Sequence, residues 1–318
     1  MIDRPIISIV VPCYDEEATF AHSCDALLRQ IESLIAEARI SEKSYVYFVD
    51  DGSHDRTWTL IEAACTEHPG RVRALKLARN VGHQNALLAG LLAQIGKADA
   101  TISLDADLQD DISIISRMID CFTRNQIEIV FGVRASRDSD AAFKRATATW
   151  YYRTMRWLGV DIVPNHADFR LMGERALRAL AEYGEVHVFL RGLVIQLGFK
   201  TEIVTFDRLP RQYGKTKYTF VKMIRLAVDG ITSFSIRPLR IITVLGLLLF
   251  VMFIFMTFWV LAAWMAGIVI EGWTSLMLVF LLISSFQTLA LGIIGEYVGK
   301  TYFEAKSRPR FVVEKEIS

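Results

Sequence analysis

The sequence predicts an α/β fold with a doubly wound sheet, followed by a hairpin of two membrane-spanning helices. Two observations lead to this prediction. Short apolar strands alternate with helical segments in the first part of the chain, and two long uncharged runs follow near its end. The 318 residues suffice for one large domain plus an appendage, and a hydrophobic content of 52% is too high for an ordinary soluble enzyme.

The first hundred residues carry the alternating pattern. Strand-like runs cover Ile6–Val11, Tyr45–Val49, Val72–Leu77 and Ala100–Leu104, and helical segments run from about Glu16 to Ala38 and from Gly82 to Ile95. The first run is rich in β-branched residues and ends at Pro12, as is typical of a buried parallel strand. Alternating strands and helices predict a doubly wound sheet, which binds ligands at the carboxyl ends of its strands.

Acidic residues follow two of these strands. Asp105-Ala106-Asp107-Leu108-Gln109-Asp110 follows the fourth strand, and Asp50-Asp51-Gly52-Ser53 follows the second. Crowded carboxylates repel each other, and Mg²⁺ or Mn²⁺ relieves this by binding one or two carboxylates together with water and phosphate oxygens. A nucleoside diphosphate would supply such oxygens. The alternative is a solvated turn in which Asp110 or Asp111 caps the next helix, and Asp-x-Asp alone does not exclude it.

Two uncharged runs predict membrane-spanning helices. No charged residue lies between Arg240 and Glu271, and Thr274–Gly295 is a second uncharged run. The second run would span roughly 33 Å as a helix, against about 30 Å of hydrocarbon. A link of little more than Glu271-Gly272-Trp273 makes the pair a hairpin. The open ends are flanked by basic residues, namely Arg237, Arg240, Lys300, Lys306, Arg308 and Arg310. By the positive-inside rule, the amino-terminal domain and the tail are cytoplasmic.

Charge and cysteine content exclude other classes. A net charge of +1 argues against a nucleic-acid-binding protein, because no domain-wide basic excess is present. The four cysteines lack Cys-x-x-Cys spacing, so neither a zinc site nor a disulfide framework is indicated. Residues 6–11 are too short a run for a signal peptide.

Eight motifs together carry a resemblance to a known family. Four of them resemble family 2 glycosyltransferases with the GT-A fold: Val11–Glu17, Val49–Ser53, Arg79–Gln84 and Asp105–Asp110. Four more resemble the polyprenyl-phosphate branch of that family: Asp168–Met172, Gly214–Tyr218, Gly230–Ser235 and Gly295–Gly299. The branch includes dolichol phosphate mannose synthase and, nearest to this sequence, the bactoprenol glucosyltransferases. The resemblance covers nearly the whole chain, hairpin included.

The resemblance implies an architecture. A cytoplasmic GT-A, Rossmann-like catalytic domain would cover residues 1–217, an amphipathic juxtamembrane region 218–239, two transmembrane helices 240–297, and a cytoplasmic tail 298–318. Similar proteins assemble as tetramers through their membrane helices, so the resemblance also implies a homo-oligomer. It places the protein in the bacterial inner membrane.

The resemblance also implies site residues. Pro12, Tyr14 and Glu16 would line the base and ribose pocket, with Asp50 and Asp51 on the uracil or ribose. Asp107 and Gln109 would hold Mg²⁺ or Mn²⁺, Asp105 would contact the sugar or ribose, and Asp168 would lie near the acceptor phosphate or sugar. Each of the nucleotide-binding residues has turn formation as its structural alternative.

Basic residues are expected where two anionic phosphates must approach each other. Arg134, Arg137, Lys144 and Arg145 follow a fifth predicted strand, and Arg208, Arg211, Lys215 and Lys217 precede the membrane region. We assign phosphate binding to Arg134, Arg211 and Lys215, whereas Lys144 and Arg145 fit a solvated basic face near anionic lipid.

Two segments have the pattern of helices in the membrane interface. Phe143, Trp150 and Trp157 recur every seven residues, with arginines elsewhere on the same predicted helix. Core packing is the alternative for this stripe. Val221–Ile236 carries Lys222, Arg225 and Asp229 among apolar residues and predicts a second such helix leading into the hairpin.

The predicted function is inverting, metal-dependent transfer of one sugar to undecaprenyl phosphate. UDP-glucose as donor rests on the resemblance alone, and GDP-mannose, UDP-N-acetylglucosamine and UDP-galactose remain alternatives. A processive polysaccharide synthase would carry a Gln-x-x-Arg-Trp motif and more membrane helices, and neither is present. A nucleotidyltransferase would not explain the hairpin. The alternative of another class is a catalytically silent nucleotide-binding scaffold, which would not need an intact set of carboxylates.

Overall fold

The computed structural model describes residues 4–134, 166–186, 189–206, 231–232, 235–267 and 272–318. Among these, contacts group residues up to 206 and from 307 onward into one unit, and residues 231–306 into another. The basic residues Arg137, Lys144, Arg145, Arg208, Arg211, Lys215 and Lys217 lie outside the described residues, as do the aromatic stripe and most of the second predicted interfacial helix.

The first unit is built on a mixed sheet of eight strands in its described part. The strands are β1 Ile7–Cys13, β2 Tyr45–Asp50, β3 Val72–Leu77, β4 Ala100–Ser103, β5 Ile129–Arg134, β6 His166–Gly173, β7 Thr201–Phe206 and β8 Val313–Ile317. Their order across the sheet is β7-β5-β6-β4-β1-β2-β3-β8. Strands β1 to β4 are parallel to one another, whereas β6 runs antiparallel between β4 and β5, and β8 antiparallel beside β3.

Helices cover both faces of the sheet. They are α1 Phe20–Ala36, α2 Thr57–Glu67, α3 His83–Leu92, α4 Ile115–Asn125, α5 Glu174–Ala181 and α6 Leu190–Gln196. Side chains of α1 share a core with Ile9 and Val11, whereas α3 approaches Val10 from the other face. Gly90 permits that approach, because a Cβ there would lie 2.5 Å from Cγ1 of Val10. Alternate residues of β1 are therefore buried on opposite faces, as in a doubly wound sheet.

The predicted α/β class is confirmed, with shifted boundaries. The predicted helix from Glu16 begins at Phe20, because residues 16–19 form a turn in which the Glu16 carbonyl accepts from the Thr19 N–H at 3.0 Å. The predicted helix Gly82–Ile95 is α3, and it ends at Leu92. Strands β6, β7 and β8 are additions that the alternating pattern does not predict.

The second unit contains two long helices that contact each other, α7 Arg237–Met265 and α8 Trp273–Ala305. Segments Arg237–Met256 and Leu282–Ala305, of 20 and 24 residues, are long and apolar enough to cross a membrane. The predicted link was too short, since α7 ends before residue 266 and Trp273 already belongs to α8. Helix α8 also continues past Tyr297.

Beyond α8, the chain re-enters the first unit as β8. Within this strand, Glu316 accepts hydrogen bonds from the buried Tyr47 hydroxyl at 2.9 Å and from Lys97 Nζ at 2.6 Å. Lys97 and Tyr47 thereby lower the pKa of the Glu316 carboxyl. Two more ion pairs, Lys76 with Glu314 and Lys315 with Glu62, lie on the exposed side. Part of the predicted tail, Val313–Ile317, is thus an edge strand of the sheet.

We expect Glu316→Ala to lower the free energy of unfolding of the full-length protein in detergent by about 1 to 3 kcal/mol, because the buried Tyr47 hydroxyl loses its acceptor. Glu314→Ala is the matched control. Its partner Lys76 is a surface cation, and loss of that pair should cost less than about 1 kcal/mol. Denaturant unfolding would measure both, and equal effects would contradict the anchoring role of Glu316.

Candidate active site

The candidate site lies at the point in the sheet where the strand order reverses, between β1 and β4. Strand β1 pairs with β2 on one side and β4 on the other, so the carboxyl ends of β1 and β4 flank a crevice of the kind that binds ligands in open α/β sheets. Strand β6 enters from the opposite direction with Arg170 paired to Ser103. Asp105 lies two residues after Ser103 and Asp168 two residues before Arg170, and the ligand oxygens of the two aspartates are within 4.8 Å of each other.

The loop after β2 fixes the chain that leaves β1. The Asp15, Glu16 and Glu17 N–H groups donate to side chains of Ser53, Thr57 and Asp55 at 3.1, 2.8 and 3.1 Å. Pro12 is buried in β1, whereas Tyr14 is 37% exposed and meets His54 edge to face. The Glu16 carboxylate accepts from the Thr19 hydroxyl. Among the predicted base-pocket residues, Tyr14 is therefore the most exposed.

Asp51 fixes a second loop. Its Oδ1 accepts from the Val81 N–H at 2.7 Å and its Oδ2 from the Gly82 N–H at 3.0 Å. Gly52 has a φ of 66°, and a Cβ there would lie 2.6 Å from backbone atoms of Arg79 and Asn80. The motif Arg79–Gln84 is thus held against the β2 loop, and the structure gives Asp51 a loop-holding role.

Asp50 is enclosed by the protein. Its side chain is fully buried, and its Oδ1 has no hydrogen-bond partner among the described residues, while Oδ2 accepts from the Ser53 N–H at 3.4 Å. Burial raises the pKa of Asp50, against the lowering effect of the Ser53 hydrogen bonds. The predicted contact of Asp50 and Asp51 with a uracil or ribose stays a prediction.

Asp107 and Gln109 form the part of the site best suited to a divalent metal. Leu108 between them has a φ of 44°, which turns the chain so that Gln109 Nε2 lies 2.6 Å from Asp107 Oδ2. One carboxylate and one amide oxygen, both hard ligands, are what Mg²⁺ or Mn²⁺ accepts from a protein before water and phosphate complete its shell. The donor chemistry of these two residues therefore fits the predicted metal.

A second group of metal-ligating side chains consists of His83, Asp105 and Asp168, whose ligand atoms lie within 4.8 Å of one another. His83 Nε2 is 3.5 Å from Asp105 Oδ1 and 3.4 Å from Asp168 Oδ2. Asp168, however, is also paired with two arginines. A divalent cation here would face two guanidinium groups, so the group fits an ion-pair network better than a metal site.

Asp168 is the centre of that network. It accepts hydrogen bonds from Arg170 Nη2 at 2.6 Å, Arg191 Nε and Nη2 at 3.3 and 3.2 Å, and Gln84 Nε2 at 3.3 Å. Burial alone would raise the pKa of Asp168, but His83 and the two arginines hold it well below its usual value.

The pKa values of the two neighbours of Asp168, Asp105 and His83, are raised. Burial raises the pKa of Asp105 to about 6, with the Asp168 charge adding to the rise and His83 opposing it. The His83 side chain is 44% exposed, so partial loss of solvent would lower its pKa, but the hydrogen bond to Asp168 and the charge of Asp105 outweigh this effect and raise it.

Arg134, at the end of β5, is close to the acidic motif. Its Nε and Nη2 both lie 2.9 Å from Oδ1 of the buried Asp110. Asp110 is therefore an ion-pair partner, and Asp111 caps the following helical turn by accepting from the Ser113 N–H at 2.9 Å. Of the three predicted phosphate-binding residues, Arg134 is described, whereas Arg211 and Lys215 lie outside the described residues.

Four residues of the site were not assigned roles from the sequence: His83, Gln84, Arg170 and Arg191. The first three lie inside motifs that carried the resemblance, so position within a motif was an available signal. Arg191 lies in none of those motifs. Its place becomes evident only when α6 is packed beside β6.

Comparison with known proteins identifies a family and several relatives. The family model described as glycosyl transferase family 2 matches residues 8–181. The chain is 45% identical to the uncharacterized glycosyltransferase YkoT of Bacillus subtilis, over 98% of this chain and 92% of the relative. It is 35% identical to the prophage bactoprenol glucosyl transferase homolog of Escherichia coli, over 97% and 98%. Identity to the bactoprenol glucosyl transferase of Shigella phage SfX is 33%, also over 97% and 98%.

A solved structure shares the fold. It is a mannosyltransferase from Pyrobaculum calidifontis in complex with GDP-mannose and Mn²⁺, with a TM-score of 0.50 and 16% sequence identity. The match covers 72% of this chain and 64% of that one. At this identity the likeness shows a common fold.

We expect Gly52→Ala to lower the free energy of unfolding by about 2 kcal/mol or more, because the positive φ is strained for alanine and the new Cβ meets the backbone of residues 79 and 80. Gly70→Ala is the matched control, with a φ of 78° and nothing within 4 Å of its Cβ, so it should cost about 1 to 2 kcal/mol. Denaturant unfolding of both variants would test this. A cost for Gly52→Ala no larger than that for Gly70→Ala would contradict the close loop contact.

Proposed function

We propose that this chain, which belongs to glycosyl transferase family 2, transfers a single glucose from UDP-glucose to undecaprenyl phosphate at the cytoplasmic face of a membrane. The observation that carries the proposal is that one chain combines a GT-A sheet with two helices long enough to cross a membrane. Asp105, Asp107 and Gln109 lie at the ligand-binding edge of a GT-A sheet, and two helices of membrane-spanning length follow.

The lipid acceptor is supported by the membrane helices and the relatives. Large apolar side chains on both helices face outward, with Phe255 71% and Leu291 69% exposed, which is unfavourable in water and favourable in lipid. Relatives named bactoprenol glucosyl transferases align over almost their whole length, so the alignment includes these helices. The same names support glucose as the sugar. GDP-mannose, UDP-N-acetylglucosamine and UDP-galactose are the competing donors.

A phosphate acceptor changes what the site must supply. The second pKa of a phosphomonoester is near 6, so the acceptor is already a nucleophilic dianion at pH 7. The obstacle is its repulsion from the donor diphosphate, about 4 kcal/mol per charge pair at 4 Å and an effective dielectric constant of 20. Left uncompensated, that repulsion would slow the reaction by roughly three decades. Cations are therefore needed more than a base.

Residues of this chain would meet that need in two ways. Asp107 and Gln109 would hold a Mg²⁺ or Mn²⁺ ion, which when bound neutralises diphosphate charge. Arg134, with Arg211 and Lys215, would bind phosphate oxygens directly. Tyr14 would contact the nucleotide, and Asp105 the sugar or ribose. Attack from the face opposite the leaving diphosphate gives inversion, so an α-linked donor would yield a β-linked lipid product.

The orientation in the membrane follows from charge. Arg237 and Arg240 precede the apolar part of α7, and Lys300 and Lys306 lie at the end of α8, whereas residues 266–272 contain no lysine or arginine. This asymmetry supports a multi-pass protein of the bacterial inner membrane whose catalytic unit and both termini are cytoplasmic. A homo-oligomer, with a tetramer as the form of similar proteins, is part of the same proposal.

We expect transfer of labelled sugar from one nucleotide sugar of a panel to undecaprenyl phosphate, using full-length protein in detergent with Mg²⁺ or Mn²⁺. The product should be extractable into organic solvent, and EDTA should abolish its formation. A lipid product from GDP-mannose in place of UDP-glucose would correct the donor. Nucleotide binding without any lipid product would instead support the silent scaffold.

We expect Asp107→Asn to lower the transfer rate by at least two to three decades, because an amide is a much weaker ligand for a hard divalent cation than a carboxylate. Asp111→Asn is the matched control in the same segment. Asparagine also caps helices well, so this variant should keep its activity. Metal-dependent transfer by Asp107→Asn at the wild-type rate would refute the metal assignment.

A further inference from the structure

We propose that Arg191 binds a phosphate group of the substrates, and that Asp168 is the residue that positions it rather than a base. This inference rests on the proposed function, because it assigns a phosphate ligand within the same site. Four observations carry it: the four hydrogen bonds that Asp168 already accepts, the fixed backbone before Arg191, the exposure of Arg191, and the closeness of its partner Asp168 to Asp105.

The hydrogen bonds to Asp168 leave it no room to act as a base. A carboxylate offers about four lone-pair sites. Four hydrogen bonds already reach Asp168, from Arg170, Gln84 and twice from Arg191, and His83 lies 3.4 Å away. To accept a proton from a substrate, Asp168 would have to break one of these bonds. Such an arrangement instead fixes the groups that donate to it.

The backbone immediately before Arg191 is fixed from both sides. The Leu190 N–H donates to Gln84 Oε1 at 3.2 Å, and the Leu190 carbonyl accepts from Arg170 Nη1 at 3.4 Å. Gln84 and Arg170 are the same residues that bind Asp168. The main chain before Arg191 is therefore anchored, and Asp168 accepts hydrogen bonds from one edge of the Arg191 guanidinium, through Nε and Nη2. Little conformational entropy remains to be lost when a ligand binds.

Arg170 and Arg191 differ in what a ligand can reach. The Arg170 side chain is completely buried, whereas that of Arg191 is one third exposed. Arg170 can act only on other protein groups. Arg191 presents a cation at the surface of the site, and a planar guanidinium binds phosphate oxygens through paired hydrogen bonds.

The location of Arg191 suits a phosphate at the reacting centre. Asp105 and Asp168 each lie two residues beyond the last β4–β6 pair, Ser103 with Arg170, and His83 Nε2 lies 3.5 and 3.4 Å from their carboxylates. Arg191 pairs directly with Asp168, whose ligand oxygen lies within 4.8 Å of that of Asp105. The bound phosphate belongs either to the donor diphosphate or to the acceptor monophosphate, and both present the same oxygens.

The test uses full-length protein in detergent with Mn²⁺. Arg191→Gln and Arg191→Lys are compared with Arg175→Gln, a matched control that removes an exposed arginine of α5 that pairs with Glu128. We expect Arg191→Gln to lower kcat/KM roughly 10- to 100-fold, as for loss of a charge-assisted hydrogen bond. Arg191→Lys should lie between this variant and wild type, and Arg175→Gln should match wild type. A rise in KM for the nucleotide sugar assigns the donor diphosphate, and a rise for the lipid assigns the acceptor.

Asp168→Asn distinguishes positioning from base catalysis. A positioning role predicts that the double variant Asp168→Asn/Arg191→Gln is little worse than Arg191→Gln alone, because both changes remove the same interaction. Losses that multiply would show that Asp168 has a separate role and would overturn the proposal.

Binding measurements separate failure of this inference from failure of the proposed function. Calorimetry with pyrophosphate and with farnesyl phosphate, each in the presence of Mn²⁺, requires no sugar transfer. We expect Arg191→Gln to weaken binding of at least one probe about tenfold, even if the wild-type protein transfers no sugar to lipid. Unchanged binding of both probes, with unchanged kinetics, would overturn the role of Arg191.

Discussion

The antiparallel pairing of β6 with β4 is the constraint on which the candidate site depends. In a purely parallel sheet, the carboxyl end of another strand would lie beside Asp105. Here the amino-terminal part of β6 lies there, and it contains Asp168 and Arg170. Burying that strand places charged groups inside the protein, which is tolerated only when they are paired. The network around Asp168 provides this pairing, so the same interactions stabilise the fold and shape the site.

The sequence was sufficient to predict the elements whose signal is local. Strands β1 to β4 are apolar runs because both of their faces are buried, and the acidic residues after β2 and β4 follow directly from where those strands end. The helices of membrane-spanning length were equally evident, because buried core helices are rarely uncharged over such a length. The predicted boundaries of α1, α7 and α8 were less accurate, because the turn before α1 and the link between α7 and α8 leave a weak compositional signal.

What could not be predicted depends on contacts between distant segments. Strand β6 contains Asp168 and Arg170, which do not look like the interior of a sheet until their partners are known. Strand β8 is mostly charged and joins the sheet through its backbone, so its side chains give little sign of pairing. Arg191 is one of many arginines in the chain, and only the packing of α6 beside β6 brings it to Asp168. The sequence therefore predicted the carboxylates of the candidate site better than the cations that surround them.

Strand β8 has a consequence for how the protein is made. Since β8 follows α7 and α8 along the chain, the ribosome releases it only after both of these helices. Until then, β3 is an edge strand with unpaired backbone groups, and such edges promote association between chains. Folding of the sheet would thus be completed only after both apolar helices have been synthesised. A shortened chain that stops before α7 would lack this last strand and would be expected to aggregate during expression.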